Sequence, residues 1–99
     1  MSSVTNVLIS YSGFSDMRRM AEIHEWLVNE CEYGPTRLDC LTEGGKAMEA
    51  TVYGGGFNYL DVQSFLEFAR SLSWDSPENV QIFIQKQHDD IFTVYTVPE

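Results

Sequence analysis

Val7-Leu8-Ile9-Ser10-Tyr11-Ser12-Gly13-Phe14-Ser15-Asp16 changes its period halfway along. Val7, Ile9 and Tyr11 alternate with Leu8 and Ser10, the period of two that a half-buried strand shows. Ser12-Gly13-Phe14-Ser15 breaks the alternation. From Asp16 to Glu32 the period becomes helical: Met17, Met20, Ala21, His24, Leu27, Val28 and Cys31 fall on one stripe at about 100° per residue. A strand followed by an amphipathic helix is expected. Asp16 near the helix start suits the positive end of the helix dipole, and Gly34-Pro35 ends the segment.

Two strands follow. Thr36 to Thr42 sets Leu38 and Cys40 on one side, with Arg37, Asp39 and Leu41 on the other. Glu43-Gly44-Gly45-Lys46 reads as a hairpin loop, because paired glycines supply the positive φ of such turns. Met48, Ala50 and Val52 then alternate with Glu49, Thr51 and Tyr53. Gly54-Gly55-Gly56 leads into a second helix, for which Asn58 is the expected N-cap and Phe57 with Val62 the hydrophobic staple. Its buried stripe is Val62, Phe65, Leu66, Ala69 and Leu72, and Asp75-Ser76-Pro77-Glu78 closes it. Val80, Ile82 and Ile84 form a fourth strand, Gln87-His88-Asp89-Asp90 a polar turn, and Ile91 to Val97 a fifth.

The order β-α-β-β-α-β-β implies an α+β fold. Its first six elements match the ferredoxin-like βαββαβ sandwich, with an extra C-terminal edge strand. Right-handed crossovers then put two helices on one face of an antiparallel sheet of spatial order 5-4-1-3-2. One domain spanning 1–99 is expected, long enough to bury roughly 60–65% of its unfolded surface.

The 99 residues carry 15 acidic against 6 basic side chains, a net charge of −9, and the pI is near 4.4. Leu, Ile, Val and Phe together exceed the roughly 20% below which chains stay disordered. Direct nucleic-acid binding needs clustered Lys and Arg, and the only adjacent basic pair is Arg18–Arg19. The same deficit argues against anionic membranes. No apolar run reaches the roughly 18 residues of a membrane helix. The opening residues do not read as a signal peptide, so Cys31 and Cys40 are expected reduced and the protein cytoplasmic.

No motif specifies a reaction, and no catalytic residue, metal site or cofactor is expected. The triple glycine lacks the Lys and Ser/Thr of a P-loop and the spacing of a dinucleotide fingerprint, so it reads as a strand-to-helix turn rather than an anion site. His24 reads as a packed histidine on the apolar stripe. Together with Cys31 it is too few ligands for zinc. His88 beside Asp89 and Asp90 reads as a solvated turn. Leu8-Ile9-Ser10-Tyr11-Ser12, with Asp16 following, resembles the first strand and loop of TIR domains. The chain is too short for that fold's parallel sheet, and no residue roles are carried across.

Two surfaces remain. With Val7, Ile9, Met48, Ala50, Val52, Val80, Ile82 and Ile84 facing the helices, Leu8, Tyr53, Phe83 and Tyr95 face away, an apolar-aromatic sheet face suited to a protein contact or a homodimer. Trp26 falls about 160–180° from the centre of the first helix's stripe, among Arg19, Glu22, Ile23, Asn29 and Glu30. A tryptophan among acids has the composition of an interface anchor. The expected function is therefore a small, acidic, non-enzymatic protein-binding module that blocks or neutralises a partner with a basic surface. Immunity proteins, antitoxins and phage-encoded anti-defence inhibitors are of this type. Trp26, Glu22, Glu30, Ile23, Phe83 and Tyr95 are its candidate contacts. The alternative is a dimeric ferredoxin-like small-molecule-binding domain, or a small enzyme, using the open sheet face.

Overall fold

A computed structural model describes residues 4–12, 14–41 and 50–98. Along the chain run β1 (Val4–Tyr11), α1 (Met17–Cys31), β2 (Thr36–Arg37), β3 (Thr51–Asn58), α2 (Val62–Ser71), β4 (Gln81–Lys86) and β5 (Thr93–Thr96). The fold is α+β, with two helices and one five-stranded sheet of order β2-β3-β1-β4-β5. Every neighbouring pair is antiparallel.

One layer of apolar side chains holds the fold together. Val7, Ile9 and Tyr11 of β1, Phe57 of β3, and Ile82 and Ile84 of β4 are buried in one cluster with Met20, Ile23 and Leu27 of α1 and Phe65, Leu66 and Ala69 of α2. Alternation explains the sharing, since every second strand residue meets the helices. Trp74, after α2, seals one end. Its indole N–H donates to the Ala69 carbonyl at 2.8 Å, so this large residue is buried without leaving its polar atom unpaired.

β2 is shorter than the sequence pattern suggests, and Asp39 is the reason. Its carboxylate accepts the Val52 N–H at 3.0 Å, doing for β3 what a further β2 carbonyl would do. Arg37 grips the same carboxylate through Nε and Nη2 and holds its pKa below the usual range. Residues 39–41 turn away as a 3-10 segment. The hairpin loop expected at 43–46, together with Met48 and Glu49, lies outside the described residues.

β3 begins later and runs further than expected. The three glycines are not a strand-to-helix turn; they pair with β1 as Leu8↔Gly54, Val7↔Gly55 and Asn6↔Gly56. Gly54 belongs there for lack of space. A Cβ would lie 2.5 Å from Leu8 Cδ2 and 2.9 Å from Leu38 Cδ1, so neighbouring leucines fill the room a side chain would take. This register reverses two assignments: Tyr53 lies on the helix side, stacked on Tyr11 at 6.4 Å, and Val52 lies on the open side, opposite Ser10.

The N-cap of α2 is Asp61, not Asn58. Asp61 accepts the Ser64 amide at 3.1 Å, and that bond lowers its pKa. Asn58 is still the last residue of β3, and Tyr59 turns the chain with φ 57°. The staple positions pass to Leu60 and Phe65, both buried. Helix α1 ends at Cys31, with Glu32 in the left-handed region and its N–H bonded to the Val28 carbonyl.

Candidate functional site

The α1 stripe is rotated from its expected position. The buried residues are Met20, Ile23, Leu27 and Cys31, whereas Met17, Ala21, His24 and Val28 are exposed. At 100° per residue the shift is about 60°. Ile23 is 0% exposed and offers nothing to a partner. The His24 imidazole lies over Gly34, where any Cβ would collide with the ring; it is a surface contact rather than a core histidine.

The same rotation brings Trp26 to the seam between the helices. Its ring stacks on Phe68 of α2, with centroids 5.6 Å apart and planes 18° off parallel, and tilts against Phe65 at 5.8 Å. Trp26 is therefore half-buried and partly structural, not a bare aromatic on the outer face. Its outer edge still contributes to two open depressions along the seam. One, of about 330 Å³, is lined by Glu22, Glu25, Trp26, Asn29, Phe68 and Leu72. The other, of about 510 Å³, is lined by Trp26, Glu30, Cys31, Tyr59, Asp61, Ser64, Glu67 and Phe68.

The charged side chains lining this seam among the described residues are all acidic. Neither depression has a Lys or Arg in its lining among the described residues. Glu22 meets Arg19 of its own helix at 3.3 Å, Asp61 caps α2, and Glu67 accepts from Gln63 at 3.4 Å. Glu25 and Glu30 form no ion pair among the described residues. The sequence pattern singled out Trp26, Glu22 and Glu30 but missed Phe68, Glu25 and Glu67. Phe68 lies on the flank of the α2 stripe, and its stacking on another helix leaves no local signal.

The two sheet aromatics part company. Phe83 pairs with Leu8 and Val94 on the open face. Tyr95 pairs with Ile82, which is fully buried, so it lies on the helix side beside α2. The open face has a second property visible only in the register. Around Leu8, β1 presents Val4, Asn6 and Ser10, and β3 presents Val52, Gly54, Gly56 and Asn58. From β4 come Gln81, Phe83 and Gln85, from β5 Val94 and Thr96, and from β2 Thr36. None of these is ionisable.

Other candidate chemistry resolves into structure. Asp16 is buried and accepts the Asp75 and Ser76 amides at 2.6 and 3.2 Å, tying the start of α1 to the chain after α2. Its side chain makes no cap hydrogen bond to its own helix. His88 takes φ 80° in the β4–β5 turn, and Asp89 closes that turn by accepting the Lys86 amide at 3.1 Å. Among the described residues no group of three or more His, Cys, Asp or Glu could hold a metal ion, and no helix is long and apolar enough to cross a membrane. Cys31 and Cys40 are unbridged. No family model, curated protein or solved structure matches the chain.

Proposed function

We propose that the chain is a small, non-enzymatic protein-binding module that takes a basic partner along the seam between α1 and α2, blocking or neutralising it. We read its β-α-β-β-α-β core as a ferredoxin-like sandwich and the protein as cytoplasmic. Inhibitors of the immunity-protein, antitoxin or anti-defence type fit this description. One observation carries the reading: Trp26 stacked on Phe68 forms an aromatic floor, with Glu25 and Glu30 at its two ends free of cations among the described residues. A guanidinium from a partner is attracted to an aromatic face and to flanking carboxylates at once. Glu22, Asp61 and Glu67 add a field that speeds encounter with a basic surface. The open sheet face is the ground of the alternative, a small-molecule site. Its lack of ionisable side chains among the described residues favours apolar contact over acid–base chemistry, which ranks that reading second.

Co-purification from the native cell tests the proposal. Wild-type protein should retain a basic protein at stoichiometric ratio, and Glu25→Gln combined with Glu30→Gln should release it at moderate salt with the fold unchanged. Recovery of an acidic partner, or retention indifferent to both substitutions, refutes it.

A further inference from the structure

We infer that the open face of the sheet docks a second copy of this chain. Leu8, Val52, Phe83 and Val94 give the face an apolar centre, and Val94 is 50% exposed on the edge strand. Nothing ionisable stands on it among the described residues, in a chain with 15 acids and 6 bases. That contrast selects the occupant. Two copies of net charge −9 repel across most of their surfaces, and this is the face on which they meet without setting carboxylate against carboxylate. A foreign basic partner would find no counter-charge there. The polar groups present are self-complementary: Asn6 donates to Gln85 at 3.2 Å, and such amides carry both donor and acceptor, as a two-fold contact requires.

The footprint sets the strength. Strands about 4.8 Å apart, rising about 3.3 Å per residue, give a face of about 400–500 Å² in projection. That is the low end of specific interfaces, so the dimer dissociates on dilution. Salt sets the sign. Screening reduces the repulsion between the copies, so self-association tightens with salt, whereas binding of a basic partner weakens.

Sedimentation equilibrium over a concentration series, from about 0.01 M to about 1 M NaCl, tests this directly. A reversible dimer should appear and tighten as salt rises. Val94→Glu, at an exposed edge position, should weaken it by about tenfold or more with an unchanged circular-dichroism spectrum. Gln85→Glu should do the same from the neighbouring strand, in case the first variant disturbs β5. A chain that stays monomeric up to about 1 mM overturns the inference and leaves the face to a foreign apolar partner. A dimer that survives both substitutions, or that weakens with salt, overturns it too.

Discussion

The seam between the helices and the open side of the sheet are both partly apolar surfaces, yet they are built on opposite principles. The seam gathers carboxylates around a stacked aromatic pair whose rings also belong to the fold. The open face carries no ionisable side chain among the described residues, and Val94 on its edge strand is half exposed. A surface of the first kind would select a partner by charge sign, and it cannot lose its aromatic cheaply. One of the second kind would select by shape, and an exposed member such as Val94 is replaceable with little harm to the monomer.

The largest effect should separate the two surfaces. Trp26→Ala removes a ring packed on Phe65 and Phe68 and should cost about 2–4 kcal/mol of unfolding free energy. Val94→Ala, in dilute protein, should cost under about 0.5 kcal/mol. Denaturant titration of the two variants checks the contrast. Equal losses would mean that both surfaces are equally structural.

A smaller effect sharpens the boundary of the seam, where Asp61 caps α2. Asp61→Ala should lower the thermal midpoint by about 4–8 °C, while Asn58→Ala should change it little. The sign of the pH dependence follows from the lowered folded-state pKa of Asp61. Its contribution is present above the usual carboxylate value of 3.8 and is lost as pH falls through the lower folded value. The gap between wild type and Asp61→Ala should therefore close in acid. A gap that persists there shows that the carboxylate is not the cap.

The smallest effect lies in the layer between the two surfaces. Tyr11 is buried, and its hydroxyl has no hydrogen-bond partner among the described residues. Burial, aided by Tyr53, pushes its pKa up to about 12. Tyr11→Phe should leave stability unchanged or raise it by up to about 1 kcal/mol at neutral pH. In alkali the unfolded chain ionises first, so this residue's share of stability is complete below pH 10 and falls away as pH rises toward about 12. Denaturation midpoints across that window should decline less steeply for Tyr11→Phe, and identical slopes would place the alkaline loss elsewhere.

Period changes made the element order and the strand order legible, because Val7-Ile9-Tyr11 and Val80-Ile82-Ile84 each alternate without ambiguity. The helix phase was not legible. Met17, Ala21, His24 and Val28 offer a stripe as plausible as Met20, Ile23 and Leu27, and only packing against the sheet chooses between them. β3 was obscured by its glycines, which look like a break until Leu8 and Leu38 are seen filling their space. Of the seam, one wall could be read, since Trp26 and its acids share a helix. The other wall, Phe68 and Glu67, belongs to a helix some forty residues later in the chain. Asp16 reads as a helix-start residue, but its partners leave no local signal, because Asp75 and Ser76 lie 59 and 60 residues away.

β1 occupies the middle of the sheet although it is the first strand made. Its partner on one side starts at Thr51 and on the other at Gln81. At about 5–20 residues per second, a ribosome takes roughly 4–14 s to go from the end of β1 to the start of β4. Through that interval an alternating apolar strand waits with at least one edge unpaired, and the core cannot close. Pairings this distant in sequence are slow to form. The nascent chain is thus most open to chaperone capture or to mispairing just before synthesis reaches β4, and a chain stalled short of Gln81 should be degraded or aggregate rather than fold.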